Sequence, residues 1–334
     1  MVPMRYGAGL LTEQRWHGCR TLAVSEVGVA EHLNRPCRHI AMDTASAVVD
    51  RLPANVSVTT AERTVSPAVV FDNVSLAFDD HVVLRDLSFE VAAGALTILL
   101  GASGAGKSLI LKLILGLLRP DAGRIFVHEK RVDDMAERDL LRLRADVGMM
   151  FQENALFDSM TVGENVGYRL REASTMPEHA VAARVAEVLG FVGLAELTDR
   201  MPSSLSGGQR RRVAIARAIA ARPRLLLFDD PTTGLDPIIA TTVDDEIVKL
   251  RDLEHVTSIV VTHQIRDAYY IATHQAVRRD GQMRIVAGDV RRAAPAQFMV
   301  LHDGRIHFHG TADQLRDSKD GYLKEFLFRT LPPW

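Results

Sequence analysis

Ala95-Leu96-Thr97-Ile98-Leu99-Leu100 runs into Gly101-Ala102-Ser103-Gly104-Ala105-Gly106-Lys107-Ser108, and the apolar stretch Leu109 to Leu118 follows. This order reads as a short buried strand, a glycine-rich turn and a helix, the opening of an α/β unit. Positions 101–108 fit G-x-x-x-x-G-K-[ST], in the setting that gives the pattern meaning. Backbone N–H groups wrap a polyphosphate only where side chains do not intrude. Hence the glycines at Gly101, Gly104 and Gly106, with Ser103 and Ala105 completing the loop. The helix starting near Lys107 points its positive end at the phosphates. Lys107 is expected to reach the β and γ phosphates, and Ser108 to offer a hydroxyl to Mg²⁺. The motif implies a nucleotide without saying what the nucleotide is for.

Downstream, Leu225-Leu226-Leu227-Phe228-Asp229-Asp230 reads as a buried strand that delivers two carboxylates to its carboxyl end, where α/β folds bind ligands. Asp229 is expected to hold Mg²⁺ and Asp230 to polarise the attacking water. In isolation the pair would be solvated turn aspartates before Pro231; a phosphate loop upstream makes that reading poor.

Around these two segments, Val69 to Phe71, Val74 to Phe78, Val82 to Leu84 and Leu87 to Val91 read as strands, with Asp79-Asp80 as a turn. Ser258 to Val261 is a further buried strand. Helical patterns cover about Glu178 to Thr198, Arg211 to Ala221 and Thr241 to Asp252. Asp280-Gly281 and Asp303-Gly304 sit in hairpin positions, and Thr311 to Gln314 reads as a capping box opening the last helix.

Residues 1–67 show no sustained period and read as a flexible extension; a small helical cap, or a later start at Met42, are alternatives. The chain has 334 residues and a formal charge of −2, with 47% hydrophobic and 25% charged residues. That argues for a globular protein with no nucleic-acid partner. Its two cysteines, Cys19 and Cys37, cannot build a disulfide framework, which fits a reducing cytoplasm. No run approaches the roughly 20 apolar residues of a membrane span.

Ser204-Leu205-Ser206-Gly207-Gly208-Gln209 is a glycine-rich helix start, itself an anion site, and Leu205 to Gln209 is the LSGGQ sequence of ABC ATPases. A plain capping box, Ser206 with Gln209, would explain the serine but not two glycines. The chain thus resembles the ATP-binding subunits of ABC transporters from about Pro67 to Leu327. That resemblance implies a P-loop NTPase (RecA-like) α/β core with an antiparallel β subdomain and an α-helical signature subdomain at about 153–220. It implies an ABC ATPase domain over 68–328; a hairpin inserted at about 276–295 lies outside the common family pattern, and a tail follows at 329–334. It further implies ATP and Mg²⁺ as cofactors, and a head-to-tail dimer in which Ser206, Gly207 and Gly208 close over ATP held by the second copy. A multispan permease partner and a place on the inner face of the cell membrane follow.

Other family elements appear in order. Gln152 after Met149-Met150-Phe151 matches the Q-loop residue that senses Mg²⁺ or water. Asp236, in Thr233-Gly234-Leu235-Asp236-Pro237, matches the D-loop that crosses the dimer. His263 matches the switch histidine near the γ-phosphate, and Phe78 the ring that stacks on adenine. One departure stands out: hydrolysing members mostly carry glutamate where this chain has Asp230. The shorter side chain leaves three readings: slower hydrolysis, a backbone shift that restores reach, or a base supplied otherwise. Retained hydrolysis is favoured, since the other catalytic positions are intact.

Phe151-Gln152-Glu153-Asn154-Ala155-Leu156-Phe157, then Met160 to Val166 and Leu170-Arg171-Glu172, resemble the Mla-type lipid-transport ATPases that work with MCE-domain proteins. Polar amino-acid importers are related here and stay open, as does an ATP-gated regulatory module. DNA-maintenance ABC proteins are disfavoured, because no heptads or cysteine clusters lie between Ser108 and Leu205.

Overall fold

The structure, a computed structural model, describes residues 66–173, 176–279, 282–288 and 296–330. Nearly all of the expected extension, both cysteines, Asp280-Gly281 and Trp334 lie outside them. The chain opens with β1 (Pro67–Phe78), β2 (His81–Ala92), β3 (Leu96–Gly101), α1 (Lys107–Ile114), β4 (Ala122–Val127) and β5 (Lys130–Arg131). It continues through α2 (Glu137–Ala145), β6 (Val147–Met150), α3 (Val162–Ala173), α4 (Glu178–Phe191), α5 (Gly207–Ala220) and β7 (Leu225–Asp229). Then come α6 (Pro237–Lys249), β8 (Thr257–Thr262), α7 (Ile265–Thr273), β9 (His274–Arg279) and β10 (Gln282–Ala287). The described part ends with β11 (Gln297–His302), β12 (Arg305–Gly310), α8 (Ala312–Arg316) and α9 (Gly321–Thr330).

A six-stranded sheet carries the centre in the order β12-β11-β3-β8-β7-β6, parallel from β11 to β6, with β12 antiparallel on the edge. Successive side chains alternate faces. Ile98, Leu100, Phe228 and Val260 join the core under α3, α4 and α5, while Leu99, Leu227, Ile259 and Val261 join the one containing α1 and β1. Burial on both faces is why these strands read as unbroken apolar runs. A second sheet, β2-β1-β4-β5, is antiparallel, with Phe71 stacked on Phe89 at 4.5 Å. The expected α/β core, antiparallel β subdomain and helical subdomain are all present.

Boundaries differ from the expectation for local reasons. β1 and β2 are each continuous where two short strands are expected, because shifts of register and left-handed Asn73 and Asp86 interrupt the alternation without ending the strand. The helix expected to reach Leu118 stops at Ile114. Gly116 is left-handed there, its N–H donates to Leu113 O at 3.0 Å, and Leu117 N–H donates to Lys112 O at 2.9 Å. Gly193 ends α4 in the same way, well before Thr198, with Leu194 N–H donating to Leu189 O at 2.8 Å. α5 and α6 start earlier than their periodicity shows, because each is fixed by its cap, Ser206 and Asp236. The Thr311 capping box opens α8 and not the last helix; α9 follows it. The hairpin is β9-β10, begins at His274, and is tied at its base by Ala276 N–H donating to Asp252 Oδ2 at 2.7 Å.

One buried group carries a stability prediction. Asp244 in α6 is 1% exposed, and neither carboxylate oxygen has a partner. Burial, reinforced by Asp267, pushes its pKa up to about 9. An unfolded aspartate releases its proton near pH 4. From there to about pH 9 the folded state therefore binds more protons, and stability falls as pH rises. Asp244→Asn, neutral at every pH, is expected to raise stability at pH 8 by roughly 1–3 kcal/mol and to flatten the decline from pH 5. Urea midpoints at the two pH values check this. A variant less stable than the parent at pH 8 would mean that the carboxyl is ionised and partnered.

Candidate active site

Parallel register brings the carboxyl ends of four strands together: Leu100 of β3 lies opposite Thr262 of β8, Asp229 of β7 opposite Val261, and Met150 of β6 opposite Phe228. The loop 101–108, His263, Asp229 with Asp230, and Gln152 all leave the sheet at this edge, where α/β folds bind ligands.

Gly104 and Gly106 of the loop take φ of 79° and 99°, which a side chain would strain. A Cβ on Gly101 would sit 2.7 Å from Leu301 O, so the strand–loop junction needs glycine for close packing against β11. Ala102, Ser103 and Gly104 are exposed and, with Ala105, line a cavity of about 700 Å³. His81, Val82, Val83 and Arg85 of β2 form a second wall, and the β11–β12 turn with Tyr322 a third. Phe78 closes the β1–β2 hairpin opposite His81 and is 46% exposed. Lys107 is buried, and its Nζ donates to Gly101 O at 2.9 Å and Ala102 O at 2.8 Å. Burial lowers its pKa, while Asp230 and Asp229 act in the opposite direction. A cation so placed, bonded only to loop carbonyls, can exchange those bonds for phosphate oxygens.

Ser108 Oγ donates to Asp229 Oδ1 at 2.7 Å. Burial raises the pKa of Asp229 against the lowering effect of that bond. Asp230 is in the left-handed region at φ 46°, which aspartate tolerates better than most residues. Its Oδ1 accepts from His263 N–H at 3.2 Å and lies 2.8 Å from His263 Nδ1. Asp230 and His263, far apart in sequence, thus form one hydrogen-bonded pair. Hydroxyl and carboxylate oxygens are the donors a hard cation such as Mg²⁺ takes. Among the described residues no cluster of three or more His, Cys, Asp or Glu could hold a metal by itself. One hydroxyl and one carboxylate would suit an ion that keeps waters and substrate phosphates as its remaining ligands.

Gln152 follows β6 with an exposed side chain, and its carbonyl accepts from Arg211. At the signature, Ser206 caps α5 in a full capping box: Gln209 N–H donates to Ser206 Oγ at 3.2 Å and Ser206 N–H to Gln209 Oε1 at 2.9 Å. A Cβ on Gly208 would meet Ile239 Cγ2 at 2.2 Å, so close packing against α6 explains that glycine within the chain. A Cβ on Gly207 would lie 3.2 Å from Leu235 Cδ2. None of Ser206, Gly207 and Gly208 lines the cavity beside the phosphate loop. Asp236 caps α6, its Oδ1 accepting from Ile238 N–H at 3.0 Å and Ile239 N–H at 3.1 Å.

Sequence reasoning gave no structural role to three residues. Arg211, in the basic run Arg210-Arg211-Arg212, and Arg217, further along α5, bond to backbone carbonyls of 152–155. Asn165 is fully buried: its Oδ1 accepts from Phe157 N–H at 2.8 Å, and its Nδ2 donates to Phe157, Met160 and Thr161 carbonyls at 3.0 Å each. It shapes the loop that presents Phe157, whose ring lies 4.8 Å from Tyr168. An asparagine one turn into a helix that the hydrophobic pattern marks as buried was the available signal.

Residues 84–233 match the family model described as "ABC transporter". The sulfate/thiosulfate import ATP-binding protein CysA of Thermosynechococcus vestitus is 39% identical over 65% of this chain, which spans 63% of that relative's length. The intermembrane phospholipid transport system ATP-binding protein MlaF of Haemophilus influenzae is 34% identical over 76% of this chain and 88% of its own length. Among solved structures, the dimeric post-hydrolysis state of the cassette MJ0796 bound to ADP and Pi superposes with a TM-score of 0.61 at 26% identity, covering 73% of this chain and 98% of that one.

Proposed function

The chain belongs to the family of ABC transporter ATP-binding subunits, cassettes that hydrolyse ATP, and from that premise we propose that it powers phospholipid transport as a dimer beneath a multispan permease. One observation carries the catalytic half of this reading. Phosphate loop, Asp229, Asp230, His263 and Gln152 leave neighbouring parallel strands at one edge.

In the proposed mechanism Lys107 moves its two hydrogen bonds from the loop carbonyls to the β and γ phosphates, and the loop N–H groups take the remaining phosphate oxygens. Asp230 accepts the proton of the water that attacks the γ-phosphorus, as the bond to ADP breaks. His263 holds that carboxylate from the side and would contact the γ-phosphoryl group as it passes to water and ADP leaves. Ser108 and Asp229 would hold Mg²⁺, which neutralises charge on the phosphates when bound. Gln152 contributes at the water or the ion, and Phe78 stacks on the base. Ser206 and Gly207 cap the ATP held by the second copy, with Gly208 keeping α5 close to α6, and Asp236 lies at the crossing between the copies.

Lipid as cargo is supported by the surface after Gln152. Asn165 builds the loop that carries the exposed Phe157 beside the exposed Tyr168 of α3, and Arg171 fixes the start of α4 through Glu178 at 2.7 Å. Phe157, Asn165 and Arg171 are among the residues that carry the resemblance to Mla-type ATPases. Coverage points the same way, since the phospholipid relative is matched over 88% of its length. The higher identity to the sulfate/thiosulfate protein favours polar-solute import as the second reading. An MCE-domain protein is the expected third partner, and the inner face of the cell membrane the expected site. No helix among the described residues is long and apolar enough to cross a membrane, so attachment would come through the permease.

Purification of the tagged chain in mild detergent, with mass spectrometry of co-purifying proteins and lipids, tests the cargo. A multispan permease with an MCE-domain protein and bound phospholipid is the expected result. A periplasmic-type polar-solute binding protein would overturn the lipid reading.

A further inference from the structure

Arg211 lies in α5 two residues past the signature and is 7% exposed. Among the described residues it forms no ion pair. Its guanidinium instead bridges two backbone carbonyls distant in sequence: Nη1 donates to Gln152 O, and Nη2 donates to Thr233 O at 2.9 Å. Both acceptors lie in loops of the active-site edge. Gln152 ends the segment leaving β6, and Thr233 belongs to the tight turn after Asp230, where Thr233 N–H donates to Asp230 O at 3.3 Å. Burial lowers the pKa of Arg211, and the carboxylate of Asp230 opposes that effect.

Both loops hold unfavourable backbone. Asn154 and Ala155 are consecutive left-handed residues, and Asp230 is left-handed too. Arg217, lower on the same helix, takes the carbonyls of Ala155 at 2.6 Å and Asn154 at 2.9 Å. α5 thus grips the Gln152 loop at three carbonyls and the Asp230 turn at one. The planar guanidinium presents donors on two nitrogens in a fixed fork, and here each nitrogen holds a carbonyl from a different loop.

We propose that Arg211 is a positioning residue that locks the Gln152 loop, the Asp230 turn and the signature helix into one unit, so that displacement of α5 moves both loops together. This rests on the reading above that Gln152 and Asp230 serve the same hydrolysis. It adds a direct mechanical route from the helix end that meets the second copy to the carboxylate that handles the water.

The test uses the full chain with Arg211→Lys, which keeps stem and charge but loses the fork, and Arg211→Met, which loses both. Expected is a fall in kcat of roughly 10–100-fold with the ATP KM within about twofold, since small misplacements of catalytic groups cost that much. Amide exchange is expected to speed up together in residues 153–156 and 233–236, with β3, β7 and β8 still protected. Arg211→Lys reads the lost fork even if Arg211→Met fails to fold. The proposal is overturned if the lysine variant keeps kcat within about twofold, or if exchange changes in one loop without the other. Failure of the underlying reading shows separately, as an unmodified chain that does not turn over ATP. The exchange arm still tests the linkage in that case.

Discussion

Asp230→Asn is expected to lower ATP turnover by about 10²–10⁴-fold while leaving ATP binding nearly intact. Asparagine has the same shape, tolerates the left-handed backbone at φ 46°, and can keep a contact with His263, so the fold is preserved. What it removes is the capacity to take a proton. The companion variant, Asp230→Glu, is expected to keep or raise turnover, since it extends the carboxylate by one methylene toward the water. It should cost a little stability, because glutamate visits the left-handed region less readily than aspartate. Steady-state ATPase rates, with ATP affinity measured in parallel, check both. An asparagine variant at the parental rate would remove Asp230 from the role assigned to it.

Lys107→Ala is expected to weaken ATP binding by roughly 10–100-fold, the worth of one or two hydrogen bonds from a buried cation. Turnover should fall with it. Thermal stability should fall modestly, because Ala102 O lies on the exposed loop and can pass to water, whereas the buried Gly101 O loses the lysine bond. Titration with a fluorescent ATP analogue reads the affinity. An alanine variant that binds as tightly as the parent would mean that the lysine stays on Gly101 and Ala102 when nucleotide is present.

The central sheet was legible because strands buried on both faces leave short apolar runs, and Leu225 to Phe228 and Ser258 to Val261 are such runs. The phosphate loop was legible because its chemistry demands a fixed pattern of glycine, lysine and serine. Helix ends were harder. Leu117 and Leu118 continue the apolar pattern past Ile114, yet Gly116 had already closed the helix, and its left-handed turn weighs more than two further leucines. Strand interiors failed for the opposite reason, since Asn73 and Asp86 look like turn residues but sit in irregularities that the long hairpin absorbs. In the site, adjacent positions such as Asp229 and Asp230 could be read directly. The Asp230–His263 pair could be named only through family order, because it is made by the pairing of β7 with β8. Arg211 was unreadable: nothing in Arg210-Arg211-Arg212 says that the middle guanidinium is the buried one and the one that bridges two loops of the active-site edge.

The signature glycines show how a motif can have two explanations. Gly208 is required inside this chain by Ile239, so its replacement would disturb α6 and could not isolate contact with another copy. Ser206 is the better probe, because losing its cap costs only about 1 kcal/mol of stability.

Two variants decide the shared-site claim, one copy carrying Lys107→Ala and the other Ser206→Arg, each labelled for fluorescence energy transfer and mixed with ATP. Alone, each should stay largely monomeric, since every pair it forms lacks half of each site. Mixed, the two are expected to associate on addition of ATP, because one of the two sites in the mixed pair joins an intact phosphate loop to an intact signature. Energy transfer no greater in the mixture than in either variant alone would contradict a nucleotide held between two copies.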